Sequence, residues 1–357
     1  MVRFDAHTEK WRQYVLEDNC PLLKDKIHNG VILNASSNQF DKGSVAFGSI
    51  FVTKDDPRNI FLFYSGAPDA QWSRSAVGLA VSDDGFKFRK MEGNPILEGT
   101  PQSFCYKEAL TPTVIRVSNR FYMIFSGRPS SKASRRIGIA YADDPKGPWR
   151  IIGEILKPTC FWEGIHIDNG PSLVKLDETT FLIFYSNVTR ARLDIFAFLR
   201  RYPIRRIGIA KVRIRGPSTS QIEAYKLPIN PLNHLNGKKG VWNESLFCPG
   251  YFELNGLHYL LPAASTYSTG FPYKQYIGIA SSNTPYFDES NTHIRKLLDG
   301  PSEKNLIIPN IKSQISLDSP SPFLSIEKTK LFLYYSVADY ADYKWKIALT
   351  TFNLAHA

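Results

Sequence analysis

Long apolar runs and clustered cysteines are both absent from the sequence. No stretch of about 18 consecutive apolar residues occurs, so no segment has the length and apolarity of a membrane-spanning helix. The cysteines lie far apart without a CxxC pair, which indicates neither a zinc knuckle nor a disulfide framework. The N-terminal residues also lack the apolar core of a signal peptide. We therefore expect a cytoplasmic protein with free thiols, most of them packed in the interior.

Acidic residues are fewer than basic residues. The sequence contains 33 Asp and Glu against 44 Lys and Arg, which gives a formal net charge of +11. Such an excess favours anionic partners, for example acidic glycans, phosphates or a membrane surface. Because the sequence has no recognised nucleic-acid motif and no repeated basic and aromatic platform, it does not indicate a nucleic acid as a partner.

One short phrase recurs along the chain with a nearly constant period. It reads AVGLAVS, RIGIAYA, RIGIAKV, YIGIASS and, more weakly, KIALTTF. Its central residues are spaced 60, 70, 70 and 70 positions apart, at Gly78, Gly138, Gly208, Gly278 and Ala348. Internal similarity with a fixed period is the signature of a repeat architecture. Five copies account for the whole length of the sequence.

Each copy of the phrase is preceded by two strand-like segments. The nearer one is rich in aromatic and branched residues, as in IFLFYSG and FYMIFSG, which is typical of a buried strand. The farther one carries a proline that we place at the strand entrance, where a missing N–H disrupts no ladder. These prolines are Pro112, Pro171, Pro249 and Pro322. A fourth segment, such as NPIL after the first phrase, follows in repeats one to four.

The fifth repeat has no fourth segment of its own, whereas VILN near residues 31–34 precedes the first repeat. We therefore predict an all-β fold, a five-bladed β-propeller with four antiparallel strands per blade, whose ring is closed by an N-terminal strand that completes the last blade. Two stacked β-sandwiches, the alternative, explain neither the count nor the missing strand. The predicted single domain spans 1–357, with blades at roughly 41–97, 108–157, 166–232, 244–309 and 318–357.

The amino-acid sequence of the repeats resembles that of a known group of enzymes. The strand FLFYSG, the turn SDDG and the element NPIL follow one another in that order. This order resembles the five-bladed glycosidases of glycoside hydrolase families 43, 32 and 68 and the related mannoside phosphorylases of family 130. The resemblance implies three carboxylates at inner-strand entrances, acting as base or nucleophile, general acid and pKa modulator. Glycoside cleavage needs carboxyl groups on opposite sides of the scissile bond, with one kept protonated.

Neutral residues occupy the positions at which the resemblance implies carboxylates. These residues are Thr111, Gly170, Phe247 and Cys248. Carboxylates stand slightly upstream of the blade entrances, at Asp41, Glu108, Asp168, Glu244 and Asp318. The chain order of family 43 implies Asp41 as base, Asp168 as modulator and Glu244 as acid. Glu108 and Glu163 are further catalytic candidates, the latter from FWEGIHID.

Other side chains near the blade entrances are candidates for substrate binding. His166 suits proton transfer or sugar contact as well as a structural hydrogen bond. Trp162, Phe247 and Tyr251 suit stacking on a sugar ring, although most aromatic residues of a propeller fill space between blades. Thr111 is the remaining candidate for substrate binding.

Neither a metal nor another cofactor is predicted. The turn Asp83-Asp84-Gly85 lacks the remaining ligands of an EF-hand. Cys248 has no assignable activating base, so we expect it to be packed rather than nucleophilic.

The segment from Arg190 to Arg206 holds six arginines around the apolar stretch Leu193 to Leu199. We favour a solvated loop for this segment. The alternatives are an anion-binding rim over the central funnel and a helix on a membrane surface.

The sequence as a whole predicts a glycoside hydrolase-like, carbohydrate-active enzyme. We expect it to cleave or transfer a glycosyl unit of a small or anionic sugar, free or within an oligosaccharide, with funnel carboxylates. The neutral residues at the expected catalytic positions leave a second class open, a catalytically inactive propeller that binds a glycan, an anionic headgroup or a protein partner. A non-glycosidic tailoring enzyme on the same scaffold is the third alternative.

Overall fold

The computed structural model describes residues 23–37, 40–53, 59–188, 204–269, 274–299, 315–339 and 344–355. The strands in these ranges form five separate antiparallel sheets of four strands each. The innermost strands of successive sheets contact one another in a closed sequence, from the first sheet to the fifth and back to the first. The sheets are therefore the blades of a five-bladed β-propeller, which confirms the predicted fold class.

The described chain opens with strand β1 (Leu23–Leu33), and the later strands form the blades in order. Blade 1 contains β2 (Ser44–Val52), β3 (Ile60–Ala67), β4 (Ala76–Ser82) and β5 (Arg89–Lys90). Blade 2 contains β6 (Glu108–Val117), β7 (Arg120–Arg128), β8 (Arg136–Ala142) and β9 (Arg150–Leu156). Blade 3 contains β10 (Ile167–Lys175), β11 (Thr180–Asn187), β12 (Ile207–Ile214) and β13 (Ile222–Lys226).

Blade 4 contains β14 (Ser245–Leu254), β15 (Leu257–Ser265), β16 (Gln275–Ser282) and β17 (His293–Asp299). Blade 5 combines β18 (Ile315–Leu324), β19 (Lys330–Asp339) and β20 (Lys344–Leu354) with β1. Short 3-10 helices lie in the connections, at Phe161–Glu163, Thr219–Gln221, Asn233–Leu235, Tyr267–Thr269 and Glu289–Asn291. Within the described ranges, no helix has the length and apolar character needed to cross a membrane.

Strand β1 closes the ring by pairing with β20. The antiparallel pairs run from Leu23 opposite Leu354 to Leu33 opposite Ile347. This pairing confirms the predicted closure by an N-terminal strand and extends that strand well upstream of VILN. The upstream part, LKDKIHNG, is largely polar because the outermost strand of a blade exposes much of its surface. Its sequence therefore gives a weaker strand signal than VILN.

Each innermost strand contains a β-bulge near its start. In blade 2, for example, the register shifts between Leu110 and Thr113, so Thr111 and Pro112 leave the regular ladder. A bulge tolerates proline, because the missing N–H breaks no ladder hydrogen bond there. Three of the prolines that the sequence places at strand entrances, Pro112, Pro171 and Pro249, therefore lie at the bulges. In blade 5 the bulge proline is Pro320, and Pro322 pairs beyond it.

The recurring glycine accommodates an aromatic ring that lies directly on the third strand. In blade 2, a Cβ atom on Gly138 would lie 1.9 Å from the Phe104 ring, and in blade 4 one on Gly278 would lie 2.7 Å from the Trp242 ring. Both distances are far below van der Waals contact. The glycine therefore permits close packing of the preceding connection onto blades 2 and 4, and of a tyrosine of the second strand onto blades 1 and 3.

The innermost and third strands of every blade begin at the same end of the propeller. In blade 1 this follows from the antiparallel register, which pairs Ser44 with Ala67 and Gly66 with Ala76. We call this end the funnel face, because the first residues of five innermost strands converge on it. The β11–β12 connection also joins strands at this end, and its Arg-rich residues 189–203 lie outside the described residues.

Candidate functional site

Five equivalent positions on the innermost strands form a first ring at the funnel face. Each pairs with a small residue of the second strand, as Asp168 pairs with Ser186. Four of them directly precede the bulge, and Asp168 precedes it by one further residue. The first ring consists of Ala46, Leu110, Asp168, Phe247 and Asp318. Blades 3 and 5 thus present a carboxylate at this position, whereas blades 1, 2 and 4 present apolar side chains.

A second ring comes from the starts of the third strands. Its members stand three residues before the central residue of the recurring phrase, at Ser75, Arg135, Arg205, Gln275 and Trp345. They contact the innermost strand of the following blade. Ser75 bridges to Glu108, and the side-chain oxygen of Gln275 accepts the Leu317 N–H at 2.6 Å. The two arginines of the second ring are directed in the same way at the starts of blades 3 and 4.

Arg135 connects three predicted site residues. Its Nη1 lies 2.9 and 3.2 Å from the two carboxylate oxygens of Asp168. Its Nε and Nη2 lie 2.6 and 3.0 Å from those of Glu108, which also pairs with Arg128. The Arg135 backbone N–H donates to Nδ1 of His166 at 2.8 Å. The structure therefore brings Glu108, His166 and Asp168 together around one guanidinium.

The arginines determine the protonation of their neighbours. Burial opposes ionisation of Glu108, but Arg135 and Arg128 outweigh it and hold the pKa of this carboxyl below its usual value. Burial and the same two guanidinium groups lower the pKa of His166. His166 is consequently neutral near pH 7, and its Nδ1 is free to accept the hydrogen bond from Arg135.

A second cluster surrounds Arg205. Its guanidinium lies 4.1 Å from the centroid of the Phe247 ring, and its Nη2 lies 3.8 Å from Cys248 Sγ. The Cys248 side chain in turn interacts with the Asp318 carboxyl. Both Asp318 and Asp168 act electrostatically on Arg205. Through Cys248, this cluster connects Arg205 with Asp318.

Burial controls the titration of Asp318 and Cys248. It raises the pKa of Asp318 although Arg205 and the Ser319 N–H, which donates to the carboxylate at 2.6 Å, both act in the opposite direction. Burial also raises the pKa of the Cys248 thiol, and Cys248 is 2% exposed. A buried thiol that stays protonated is not a nucleophile. Asp318 is a carboxyl group that retains its proton to higher pH than an ordinary aspartate.

Asp41 and Glu163 occupy matching positions in blades 1 and 3. Tyr64 donates its hydroxyl to Asp41 at 2.9 Å, and Lys90 Nζ lies 2.6 Å from the same carboxylate. Glu163 accepts the Tyr185 hydroxyl at 2.8 Å and pairs with the ammonium group of a lysine, Lys226, at 2.6 Å. Both acids have 0% exposed surface.

This buried carboxylate, tyrosine and lysine arrangement joins the inner and outer parts of a blade. Lys90 lies on β5 and Lys226 on β13, which are the outermost strands of their blades. An asparagine amide donates to each tyrosine hydroxyl at 3.3 Å, from Asn94 and from Asn230. Asp41 and Glu163 are thus paired with lysines of the outer strands. Glu108 and Asp168 have a different partner, Arg135.

Glu244 lies at the connection that enters blade 4. One of its oxygens accepts the Gly240 N–H at 3.0 Å and the Ser268 hydroxyl. The residue is 3% exposed and lines a pocket of about 300 Å³ together with Arg206 and Lys239. Glu244 is therefore near the funnel face, but its side-chain hydrogen bonds within the described ranges are with its own connection and with the β15–β16 connection, and not with the Arg135 cluster.

Two predicted binding residues are buried at the first ring. Thr111 is 4% exposed, and its hydroxyl forms hydrogen bonds with Ser126 and Asn169 at 2.8 and 2.7 Å. Phe247 is 1% exposed beneath the Arg205 guanidinium. Sugar contact by these residues stays a prediction.

Two other predicted aromatics pack within or between blades. Trp162 stacks on Tyr185 with ring centroids 5.6 Å apart. Tyr251 stacks on Phe184 at 6.2 Å, and its hydroxyl lies 2.7 Å from His258 Nδ1. These contacts are the space-filling contacts expected of propeller aromatics.

An aromatic cluster that the sequence analysis did not single out lies at the start of blade 1. The Phe47 ring lies 5.3 Å from the Trp72 ring and 5.6 Å from the Trp345 ring, and all three residues are partly exposed. Phe47 has φ +53° in its bulge and donates its N–H to Ser336 Oγ at 2.6 Å. A bulky residue in the left-handed region is rare and marks a constrained position.

Arg135 and Arg205 are further residues of the site that were not predicted from the sequence. The hexapeptide RRIGIA occurs twice, and its first residue is Arg135 in blade 2 and Arg205 in blade 3. This repetition is the signal that identifies them. Asp318 is among the carboxylates that stand upstream of the blade entrances, and the structure places it at the first-ring position of blade 5.

Comparisons with known proteins agree with this architecture. The model of "Glycosyl hydrolases family 43" matches residues 54–307. An endo-arabinase structure from Bacteroides thetaiotaomicron VPI-5482 has a TM-score of 0.55 at 13% identity, with 92% of this chain and 98% of that chain covered. A family 117 glycoside hydrolase from the marine bacterium Zobellia galactanivorans has a TM-score of 0.56 at 13% identity, with 94% and 92% covered.

An α-L-arabinofuranosidase structure from Lactobacillus brevis has a TM-score of 0.53 at 12% identity, with 86% of this chain and 91% of that chain covered. At these identities the structural matches establish the fold. No curated protein matches the chain. The family model covers well over half of the sequence, and it supports a glycoside hydrolase-like function. This chain belongs to glycosyl hydrolases family 43.

Proposed function

We propose that this chain cleaves or transfers a glycosyl unit of a small or anionic sugar, with Asp168 and Asp318 as its carboxyl pair. The supporting observation is that these two aspartates, from blades 3 and 5, act on the same guanidinium, Arg205. Blades 3 and 5 are separated by blade 4, so the two carboxyl groups approach a substrate in the funnel from different sides. Glycoside cleavage requires this arrangement.

The surroundings of the two aspartates suggest different roles. Asp318 is the general acid, because its raised pKa keeps a proton available at higher pH. It donates that proton to the glycosidic oxygen as the bond to the anomeric carbon breaks. Asp168 accepts a proton from the attacking water or acceptor hydroxyl, and Arg135 fixes its orientation. Glu108 and His166 position Arg135.

The partly exposed cluster of Phe47, Trp72 and Trp345 is the proposed platform for a sugar ring. Trp345 belongs to the second ring and Phe47 follows the first-ring residue Ala46, so the cluster adjoins the funnel. Aromatic faces bind the apolar faces of sugars by stacking. In this proposal the cluster holds either the aglycone, which leaves when the glycosidic bond breaks, or the acceptor to which the glycosyl unit is transferred.

Turnover by purified variants tests the carboxyl pair. The assay uses a panel of 4-nitrophenyl glycosides and short oligosaccharides, with products identified by mass spectrometry. Asp168→Asn should lower kcat/KM by roughly 1,000-fold for every substrate, since it removes the proton acceptor. Asp318→Asn should cause a loss of the same size for the oligosaccharides, whose leaving groups require protonation, and a smaller loss for the 4-nitrophenyl glycosides. Asp83→Asn, which changes an exposed turn residue, is the matched control and should retain turnover. Thermal unfolding verifies that each variant folds.

Full turnover in folded Asp168→Asn and Asp318→Asn would contradict the proposed pair. Loss of turnover in folded Asp41→Asn and Glu244→Gln, with no loss in the other two, would favour the assignment that the family order implies.

A second candidate function is supported by the neutral residues of the first ring. Ala46, Leu110 and Phe247 provide no proton-transfer group in blades 1, 2 and 4. A catalytically inactive propeller would bind a glycan, an anionic headgroup or a protein partner. Saturable glycan binding without product across the panel favours this function, and release of free sugar excludes it. A product other than a free or transferred sugar would indicate the tailoring enzyme instead.

A further inference from the structure

Arg135 and Arg205 occupy equivalent positions but have different partners. Arg135 contacts the first-ring residue of the next blade, Asp168, at 2.9 Å. The first-ring residue that faces Arg205 is Phe247, whose ring centroid lies 4.1 Å from the guanidinium. Arg135 is also paired with Glu108, which stands two residues before the first-ring residue of its own blade, Leu110. The equivalent position in blade 3, the blade of Arg205, holds His166. Arg205 therefore lacks both carboxylates that balance its counterpart.

The Arg205 guanidinium is buried without an ion pair. The residue is 7% exposed, and across the described ranges no carboxylate lies within ion-pair distance of it. Its hydrogen bonds go to neutral groups, from Nε to the Asn187 carbonyl oxygen at 2.8 Å and from Nη2 to the Ser186 hydroxyl at 3.3 Å. Burial of a cation is unfavourable unless a counter-charge approaches it. The position of Arg205 is thus suited to an anion that no described carboxylate provides.

The backbone around Arg205 is held on both sides. Its N–H donates to the Ser245 hydroxyl at 2.9 Å. Its carbonyl oxygen accepts the Leu246 N–H and the Asn236 side-chain amide, both at 3.0 Å. The guanidinium is therefore fixed before a ligand arrives, which lowers the entropy cost of binding.

We propose that Arg205 binds the carboxylate of an acidic sugar, so that the substrate is a uronic acid glycoside. This inference rests on the proposed glycosidase site, because Arg205 contacts Cys248, whose side chain interacts with the proposed acid Asp318. Glu108 and Asp168 balance Arg128 and Arg135. When Asp318 carries the proton that it donates, Arg205 is the charge of these two clusters that no described carboxylate balances. A carboxylate matches the planar donor fork of a guanidinium and neutralises that charge, whereas a neutral sugar does neither.

Matched substrates test the carboxylate preference. The pairs are 4-nitrophenyl glucuronide with glucoside and 4-nitrophenyl galacturonide with galactoside, each as both anomers. The unsubstituted chain should cleave the preferred uronide with a kcat/KM about 100-fold above that of its neutral partner, the scale of a buried charged hydrogen-bond pair. Arg205→Gln should lower kcat/KM for the uronide by about 100-fold and remove most of the preference. Arg205→Lys, which keeps the charge without the fork, should give an intermediate loss.

Arg213→Gln is the control, because Arg213 is an exposed arginine near the other end of β12. It should leave both rates unchanged. An equal loss for the acidic and the neutral member in folded Arg205→Lys and Arg205→Gln would overturn the inference, since it would make Arg205 a counter-ion of Asp318 alone.

Binding to an inactive variant separates this inference from the proposed function. In the double variant Asp168→Asn with Asp318→Asn, calorimetry should detect binding of free glucuronic or galacturonic acid, and adding Arg205→Gln should abolish it. Arg205-dependent uronate binding without cleavage of any glycoside would support the acidic ligand and contradict the glycosidase. Cleavage of neutral glycosides as fast as uronides, or tighter binding of a sulfated sugar than of a uronate, would contradict the uronic acid assignment and leave the glycosidase standing.

Discussion

At the scale of single residues, the acids of this chain differ by what surrounds them and not by their sequence context. Asp41 and Glu163 follow Phe40 and Trp162, and each is locked to a tyrosine and a lysine within its blade. Asp168 and Asp318 lie on innermost strands beside a bulge. The first pair therefore stabilises the blades, and we assign the chemistry to the second pair.

Removing either buried carboxylate should destabilise the fold. Asp41→Asn leaves Lys90 buried without its counter-ion, and Glu163→Gln does the same to Lys226. Loss of one member of a buried pair costs about 3–5 kcal/mol, so the free energy of unfolding in urea should fall by about that amount. Glu178→Gln, in an exposed pair with Lys175, should change it by less than about 1 kcal/mol. A loss below about 1 kcal/mol in both buried variants would contradict the structural role.

At the scale of the strands and their connections, the recurring glycine is a packing requirement. Gly138→Ala places a methyl group 1.9 Å from the Phe104 ring, so the ring or the strand must move. Overpacking of this kind costs about 1–3 kcal/mol, which should appear as a lower melting temperature. Gly93→Ala is the control, because a Cβ atom there meets no atom within 4 Å. Equal melting temperatures for the two variants would show that the glycine has another role.

The sequence predicted the strands better than the bulges. Periodic aromatic and branched residues identify each strand, because burial within a blade selects them directly. The bulge shifts the register by one residue in four blades and by two in blade 3, and in blade 5 it includes Pro320 rather than Pro322. Local sequence therefore does not show that Asp318 and Asp168 occupy equivalent positions. RRIGIA repeats mark Arg135 and Arg205, but their partners come from the next blade, which local sequence does not reveal.

At the scale of the whole molecule, the ring depends on β1. Strand β1 covers the edge of β20, so a chain that starts at Asn34 should lose its cooperative thermal transition and aggregate through that edge. A circular permutant in which a short turn joins Leu354 to Leu23, with new termini between β1 and β2, should regain the transition, because these two residues are already paired. Light scattering and melting curves distinguish the two chains. An unaffected truncated chain would contradict closure by β1.

The architecture was predictable from the sequence because the same order of strand segments occurs in five repeats. The candidate site was predictable only in part, since its members combine the first and third strands of several blades. Glu108, His166 and Asp168 were identified and lie together around Arg135. Asp41 and Glu163 were selected by their closeness to blade entrances, but buried lysines of the outer strands pair with them.

The pH dependence of kcat/KM for Asp318→Asn is the most direct test of the central claim. Burial raises the pKa of Asp318, so the acid form persists above the usual aspartate range and is lost as the pH rises through that pKa. The rate of the unsubstituted chain on a glycoside with a poor leaving group should fall at that alkaline limb. In Asp318→Asn the limb should be absent, with turnover preserved best for 4-nitrophenol, which leaves without protonation. The same alkaline limb in Asp318→Asn, with undiminished turnover of the poor leaving group, would contradict the account.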